Sequence, residues 1–212
     1  MQKVEIAVVD YGMGNLRSVF KAVEHVANGK SIAITSDAGI IGSAQRVIFP
    51  GQGAMPDCMR ELEARGLREV IINAANNKPF LGICIGMQLL FMHSEEGDTR
   101  GLGLLEGNVK RFEANQIING EKLKVPHMGW NQVFQTKQHD LWADIAQETR
   151  FYHVHSYYAV PLNQNYSAGE TEYGKRFCSV VAKDNIFATQ FHVEKSAQAG
   201  LQLLRNFVNW RP

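Results

Sequence analysis

Residues Val4 to Val9 form a nearly continuous apolar run that stops at Asp10. A strand with one wet face alternates apolar and polar residues; a strand covered by helices on both faces reads as an unbroken run, so this segment belongs inside a parallel sheet. After the YGMG turn, Leu16, Val19, Phe20, Val23 and Val26 recur at helical spacing, and Gly29 is placed to end the helix. The alternation continues. Ser31 to Thr35 and Arg46 to Phe49 read as strands, Ala54 to Ala64 and Leu67 to Ala75 as helices, and PFLGI as a fourth strand leading into an amphipathic stretch, Ile85 to Met92. Strands that alternate with helices imply a parallel sheet with right-handed crossovers. From about Gly101 to Phe191 the apolar stretches are short and rich in Val, Phe and Tyr. Turn signals at Asn119-Gly120, Tyr173-Gly174 and Asp184-Asn185 divide them, which predicts antiparallel strands. A closing helix begins near Ser196, a residue suited to the N-cap, with Leu201, Leu204 and Val208 on one face. The expected fold is α/β, a mixed central sheet flanked by helices with an antiparallel extension.

Length and charge narrow the function. At 212 residues and 45% hydrophobic content, without repeat, low-complexity tract or linker, residues 1–212 are expected to form one domain. The net charge of +1 and the lack of a long basic cluster give no support for a nucleic-acid or membrane partner. No secretory leader or run of membrane-spanning length is evident, so a soluble cytoplasmic protein is expected. Cys58, Cys84 and Cys178 are odd in number and far apart, which argues against a disulfide framework or a CxxC metal site.

Cys84 stands out in Gly82-Ile83-Cys84-Ile85-Gly86, between a strand and a helical stretch. A sharp strand-to-helix turn strains the backbone of a nucleophile, and glycines two positions either side remove the crowding. The helix start would favour a thiolate, and the Ile85 N–H could face an oxyanion. The competing reading is a small buried thiol filling core space. A nucleophile needs a base and the base an orienting group. ATQFHVEKS supplies His192 and Glu194 two apart, which in extended chain puts both side chains on one side, giving a candidate Cys-His-Glu triad. HxE alone also fits a solvated strand end. His153 and His155 share this spacing and could suggest a metal pair, but no further ligand pattern accompanies them. His25 and His139 read as surface residues. Pro50-Gly51-Gln52-Gly53 follows the third strand and could turn main-chain N–H groups toward the carboxyl edge of the sheet, where open α/β folds bind ligands, or be an ordinary tight turn.

Taken together, DYGMGNLRSV, PGQGAMPDCM, LGICIGMQLLF, KVPHMGWNQV, FYHVHSYY and ATQFHVEKS occur in the order found in the class I, triad-type glutamine amidotransferases, which the whole chain resembles. DYGMGN, PHMGWN and HSYY point to the histidine-biosynthetic branch of that family. The resemblance implies a flavodoxin-like fold and a glutaminase. In it Cys84 attacks the glutamine side-chain amide, His192 moves protons and Glu194 orients His192. Gly51, Gln88, Glu96, His155, Ser156 and Tyr157 match positions around the glutamine, with Glu96 facing its α-ammonium group, and the N–H groups of Gln52 and Ile85 match the oxyanion hole. No metal or cofactor is implied. The implied partner is a (β/α)8-barrel cyclase in a heterodimer, which would take the ammonia and make imidazole glycerol phosphate and an aminoimidazole carboxamide ribonucleotide. Asn15, Met128, Trp130 and Lys195 match its docking face; on residue type alone they would be a helix cap, two core residues and a solvated lysine. The family also implies low activity until the cyclase binds its nucleotide and the Gly51-Gln52 peptide turns. Two departures stand out: Val193 where the family's element has proline, and Gln52 where many relatives have valine. Val193 is expected to keep the segment extended and the His-Glu geometry intact. The rival readings are a glutaminase serving another pathway, such as vitamin B6 or anthranilate synthesis, and a silent subunit that kept the fold.

Overall fold

A computed structural model describes residues 4–113, 117–118 and 121–212. The elements run β1 (Ile6–Val9), α1 (Leu16–Val26), β2 (Ile32–Thr35), α2 (Ala38–Ser43), β3 (Arg46–Gly51), α3 (Met55–Ala64), α4 (Arg68–Asn77), β4 (Phe80–Cys84) and α5 (Ile85–Gln88). There follow β5 (Phe91–Ser94), β6 (Thr99–Arg100), β7 (Leu105–Arg111), β8 (Ile117–Ile118), β9 (Glu121–Lys122), β10 (His127–Gln132) and β11 (Phe134–Gln135). The chain ends with β12 (Arg150–His155), β13 (Tyr157–Pro161), β14 (Ser167–Glu172), β15 (Arg176–Lys183), β16 (Ile186–Thr189) and α6 (Ala197–Asn209).

The order β2-β1-β3-β4-β16-β15-β13-β7-β5-β6 forms the main path of one sheet, with β14 and β11 attached through β15. Pairing is parallel from β2 to β16 and antiparallel from β16 through β15 and β13 to β7, so the expected mixed sheet is present. Alternate residues divide the core between the two faces. Ala7, Val9, Val47 and Phe49 pack with Ile41, Leu62 and Ile71 from α2, α3 and α4, while Ile6, Val8, Ile48, Leu81 and Ile83 pack with α1 and α6. That double covering is why these strands read as unbroken apolar runs.

The structure departs from the sequence expectations in several places. Ile85 to Met92 is not one amphipathic helix. The helix ends at Gln88, Leu89 and Leu90 are buried, and Phe91 starts a strand parallel to β7. Ile85 to Phe91 is buried throughout, and the periodicity of such a segment cannot separate a short helix from a strand. Helix α2 was not anticipated; the Asp37 side chain accepts from the Ile40 N–H and caps it. Strand β10 leaves the main sheet and pairs with β12 as a separate ribbon. The turns at Tyr173-Gly174 and Asp184-Asn185 join β14 to β15 and β15 to β16, with Gly174 and Asp184 at positive φ. The Asn119-Gly120 turn lies outside the described residues. His139 is half-buried between Phe187 and Trp210, not a surface residue, and burial pushes it down to about 4.

Candidate active site

Strand β4 lies between β3 and β16 and delivers Cys84 to the carboxyl edge of the sheet. There the chain reverses into α5 with Cys84 at φ 56° and ψ −111°. A positive φ in a residue other than glycine is strained and persists only where the surroundings enforce it. The flanking glycines are what permit it. A Cβ on Gly86 would stand 1.9 Å from the Phe49 carbonyl oxygen, and one on Gly82 would stand 2.9 Å from Ala188 Cβ and 3.0 Å from the Gly86 carbonyl oxygen. The helix dipole expected to help the thiol is slight, because α5 has only four residues.

His192 follows β16, and its Nδ1 bonds Glu194 Oε1 at 2.8 Å, with both side chains almost fully buried. The pair does not lie on extended chain as the spacing suggested. His192 is extended, but Val193–Lys195 is a 3-10 turn that folds Glu194 back beneath the ring. Ser196 secures the turn: its hydroxyl donates to the His192 carbonyl at 2.6 Å and accepts the Tyr152 N–H at 3.0 Å, so it braces His192 and does not cap α6 through its side chain. Burial alone would push His192 down. The adjacent Cys84, by charge and hydrogen bond, and then Glu194 overcome this and raise it to about 10. A proton between thiol and imidazole is thus held inside the site.

A cavity of about 460 Å³ opens over Cys84. Gln52, Ile85, Gln88, Glu96, His155, Ser156 and Tyr157 all line it, as do His192 and Lys195. Gly51 stands behind it, paired with Cys84 in the β3–β4 register, and Glu194 stands behind His192. Glu96 Oε2 accepts the Met55 N–H at the start of α3, which leaves its other oxygen for a cation. The Ile85 N–H is in the first turn of α5, where no intrahelical acceptor exists. Asn15, Met128 and Trp130 lie outside the cavity and are exposed; Met128 is 62% and Trp130 50% accessible, so neither is a core residue.

Three groups escaped the sequence reading. Gln190 is fully buried, with its amide donating 3.8 Å to Cys84 Sγ and accepting from Gln88 Nε2 at 2.9 Å. Its signal was a polar residue closing an apolar strand. The Cys58 thiol, held protonated by burial that pushes it up to about 11, donates to the Gln52 carbonyl at 3.6 Å. Cys178 is likewise pushed up, to about 12. His127 joins His153 and His155 in a buried cluster whose ring nitrogens lie within 4.8 Å of one another. Nothing in the sequence joins His127 to a pair 26 residues away; the β10–β12 register does.

This fold and this site define a class: the family model for class I glutamine amidotransferases matches residues 7–210. Solved structures of glutamine amidotransferases superpose with TM-scores of 0.70 at 15% identity (96% of this chain, 97% of the other) and, from Thermotoga maritima, 0.61 at 15% (94% and 80%), a likeness of fold. Much nearer in sequence is the imidazole glycerol phosphate synthase subunit HisH of Aromatoleum aromaticum, 60% identical over 98% of this chain and 99% of its own. The protein of the same name from Neisseria meningitidis serogroup B is 54% identical over 98% and 100%. The chain belongs to this HisH family of class I glutamine amidotransferases.

Proposed function

We propose that the chain is the glutaminase subunit of an imidazole glycerol phosphate synthase and that residues 1–212 act as one domain. The observation that carries the proposal is Cys84 on its strained turn, under a cavity with room for a glutamine, beside a base held by a buried carboxylate. His192, raised to about 10, already holds the Sγ proton, so the sulfur attacks the side-chain amide carbon as a thiolate. The oxyanion accepts from the Gln52 and Ile85 N–H groups. The C–N bond breaks as His192 returns the proton to nitrogen, leaving ammonia and a γ-glutamyl thioester. Water, deprotonated by His192, attacks the thioester and releases glutamate and the thiol. Glu194 holds Nδ1–H so that Nε2 faces Cys84. Glu96 faces the substrate ammonium, and Gln88, His155, Ser156 and Tyr157 complete the pocket.

Ammonia escaping into water at neutral pH would be protonated and lost as a nucleophile, which favours direct delivery to a docked partner. The partner is a (β/α)8-barrel cyclase of histidine biosynthesis in the cytoplasm, seated on Asn15, Met128, Trp130 and Lys195. Exposed Met128 and Trp130 at alternate positions of β10 are the apolar anchors such a face needs. Described helices include none long and apolar enough to cross a membrane. Glutamate release measured with and without the cyclase and its nucleotide tests the proposal. Activity abolished in Cys84→Ser supports it; no hydrolysis by wild type under any of these conditions, or full activity in Cys84→Ser, refutes it.

A further inference from the structure

The buried histidines form a directed hydrogen-bond chain. Asn131 is oriented at both ends of its amide: Oδ1 accepts the Gln132 N–H at 2.8 Å and Nδ2 donates to the Glu172 carbonyl at 2.9 Å. Its second N–H faces His127 Nε2 at 3.2 Å, which makes that nitrogen an acceptor and places the proton of a neutral ring on Nδ1. His127 Nδ1 lies 3.0 Å from His155 Nε2, and His155 Nδ1 lies 2.7 Å from the Tyr157 carbonyl, which can only accept. From either end the same tautomers follow. Reversing one link would set donor against donor or lone pair against lone pair. Burial keeps both rings neutral near pH 7, His127 at about 4 and His155 at about 3, with Tyr173 stacked on His127 at 3.9 Å between centroids.

The chain ends in the pocket. The Tyr157 carbonyl that accepts from His155 also accepts from Gln88 Nε2 at 3.2 Å, and the other N–H of Gln88 goes to Gln190. Both protons of the Gln88 amide are therefore committed, and its Oε1 is the atom left to accept from a substrate N–H.

We infer that His127 is a positioning residue of the glutamine site: with Asn131 it fixes His155 as the Nδ1–H tautomer, which pins the Tyr157 carbonyl and through it the acceptor face of Gln88. The inference rests on the glutaminase reading of the pocket. A metal ion is the competing occupant of the cluster, since His153 Nδ1 lies 3.3 Å from the same His155 nitrogen and His153 Nε2 is buried without a hydrogen-bond partner among the described residues. The tautomers oppose it. A metal needs the His127 Nδ1 lone pair, and supplying that would turn Nε2–H against the Asn131 amide.

Two measurements test this. Long-range 1H–15N correlation of the imidazoles in the wild-type complex should show Nδ1 protonated and Nε2 unprotonated in both His127 and His155; an Nε2–H His155 overturns the inference. In glutamine kinetics with the partner subunit present, His127→Leu should raise KM about tenfold, the loss of one buried hydrogen bond, with kcat within about threefold. His127→Asn, whose amide N–H stands where Nδ1–H stood, should recover KM to within about threefold. Equal KM values for Leu and Asn overturn the inference, as does stoichiometric zinc in the purified wild type that His127→Asn loses. A wild type that hydrolyses no glutamine refutes the function itself, and the spectrum then decides the tautomers independently.

Discussion

Glu194→Gln isolates what the buried carboxylate does. The substitution is isosteric, and Gln Oε1 can still accept from His192 Nδ1 at the 2.8 Å position, so geometry is kept while charge is lost. Hydrogen bonds to a charged partner contribute about 1.5–3 kcal/mol and neutral ones about 0.5–1.5, so the imidazolium that pairs with the thiolate loses about 1.5 kcal/mol of support, a fall in kcat of about tenfold. The amide NH2 then occupies the site of Oε2, which is buried without a partner among the described residues, and that costs stability of about 2 kcal/mol, or about 4–8 °C in Tm. Should the amide settle the other way round, Nδ1 must give up its proton, and the loss approaches about 10⁴. Either way KM should hold, because Glu194 does not line the cavity. The assay is glutamate release at varied glutamine with the partner subunit, beside calorimetry of the same sample. A folded variant with kcat within twofold of wild type, or one changed in KM alone, would refute the assignment of Glu194 as the orienting group.

Further outcomes follow from the same geometry. Ser196→Ala strips the Tyr152 N–H of its partner and leaves the His192 carbonyl with the Lys195 N–H alone, which should cost about 2 kcal/mol, read as a lowered urea midpoint; an unchanged midpoint would show that the brace is idle. Gly86→Ala drives a Cβ into the Phe49 carbonyl, which cannot move without breaking β3, so soluble folded protein should not be recovered, and a Tm within 3 °C of wild type would contradict the packing. Val193→Pro should leave kcat/KM within about threefold, because Val193 opens a 3-10 turn, where proline is tolerated; a tenfold gain would show that Val193 distorts the His-Glu pair. Stability should fall on acidification below about pH 6.5. His127 and His155 remain neutral in the fold down to about 4 and about 3, while the unfolded chain takes up their protons, each adding a slope of up to about 1.4 kcal/mol per pH unit. His192 has the opposite sign: its contribution is complete below about pH 6.5 and is lost as pH rises through about 10. A Tm flat from pH 7 to 5 would refute the buried neutral state.

Local rules made the parallel half of the sheet legible, since residues covered on both faces carry their burial in their own order, as Ile6 to Val9 and Phe80 to Cys84 do. The elbow was legible as well, because the glycines that a positive φ at residue 84 demands stand two positions from it. Sequence also put His192 beside Glu194, though for the wrong reason: extended chain was expected, and a 3-10 turn held by Ser196 does the work. Only the tertiary structure decided what depends on chain pairing. Residue order does not say that α5 stops after one turn, that Met128 and Trp130 face outward while His127 faces in, or that Gln190 stands at Cys84. The first arises where β5 meets β7 and the other two where β10 meets β12 and β16 meets β4, between residues about ten to a hundred positions apart. The sequence by itself singled out Cys84, the His192–Glu194 pair and the strands that carry them, because their constraints are short in range. The tautomers and acceptors that shape the pocket were settled by contacts between distant strands, where a hydrogen bond has direction and a sequence pattern has none.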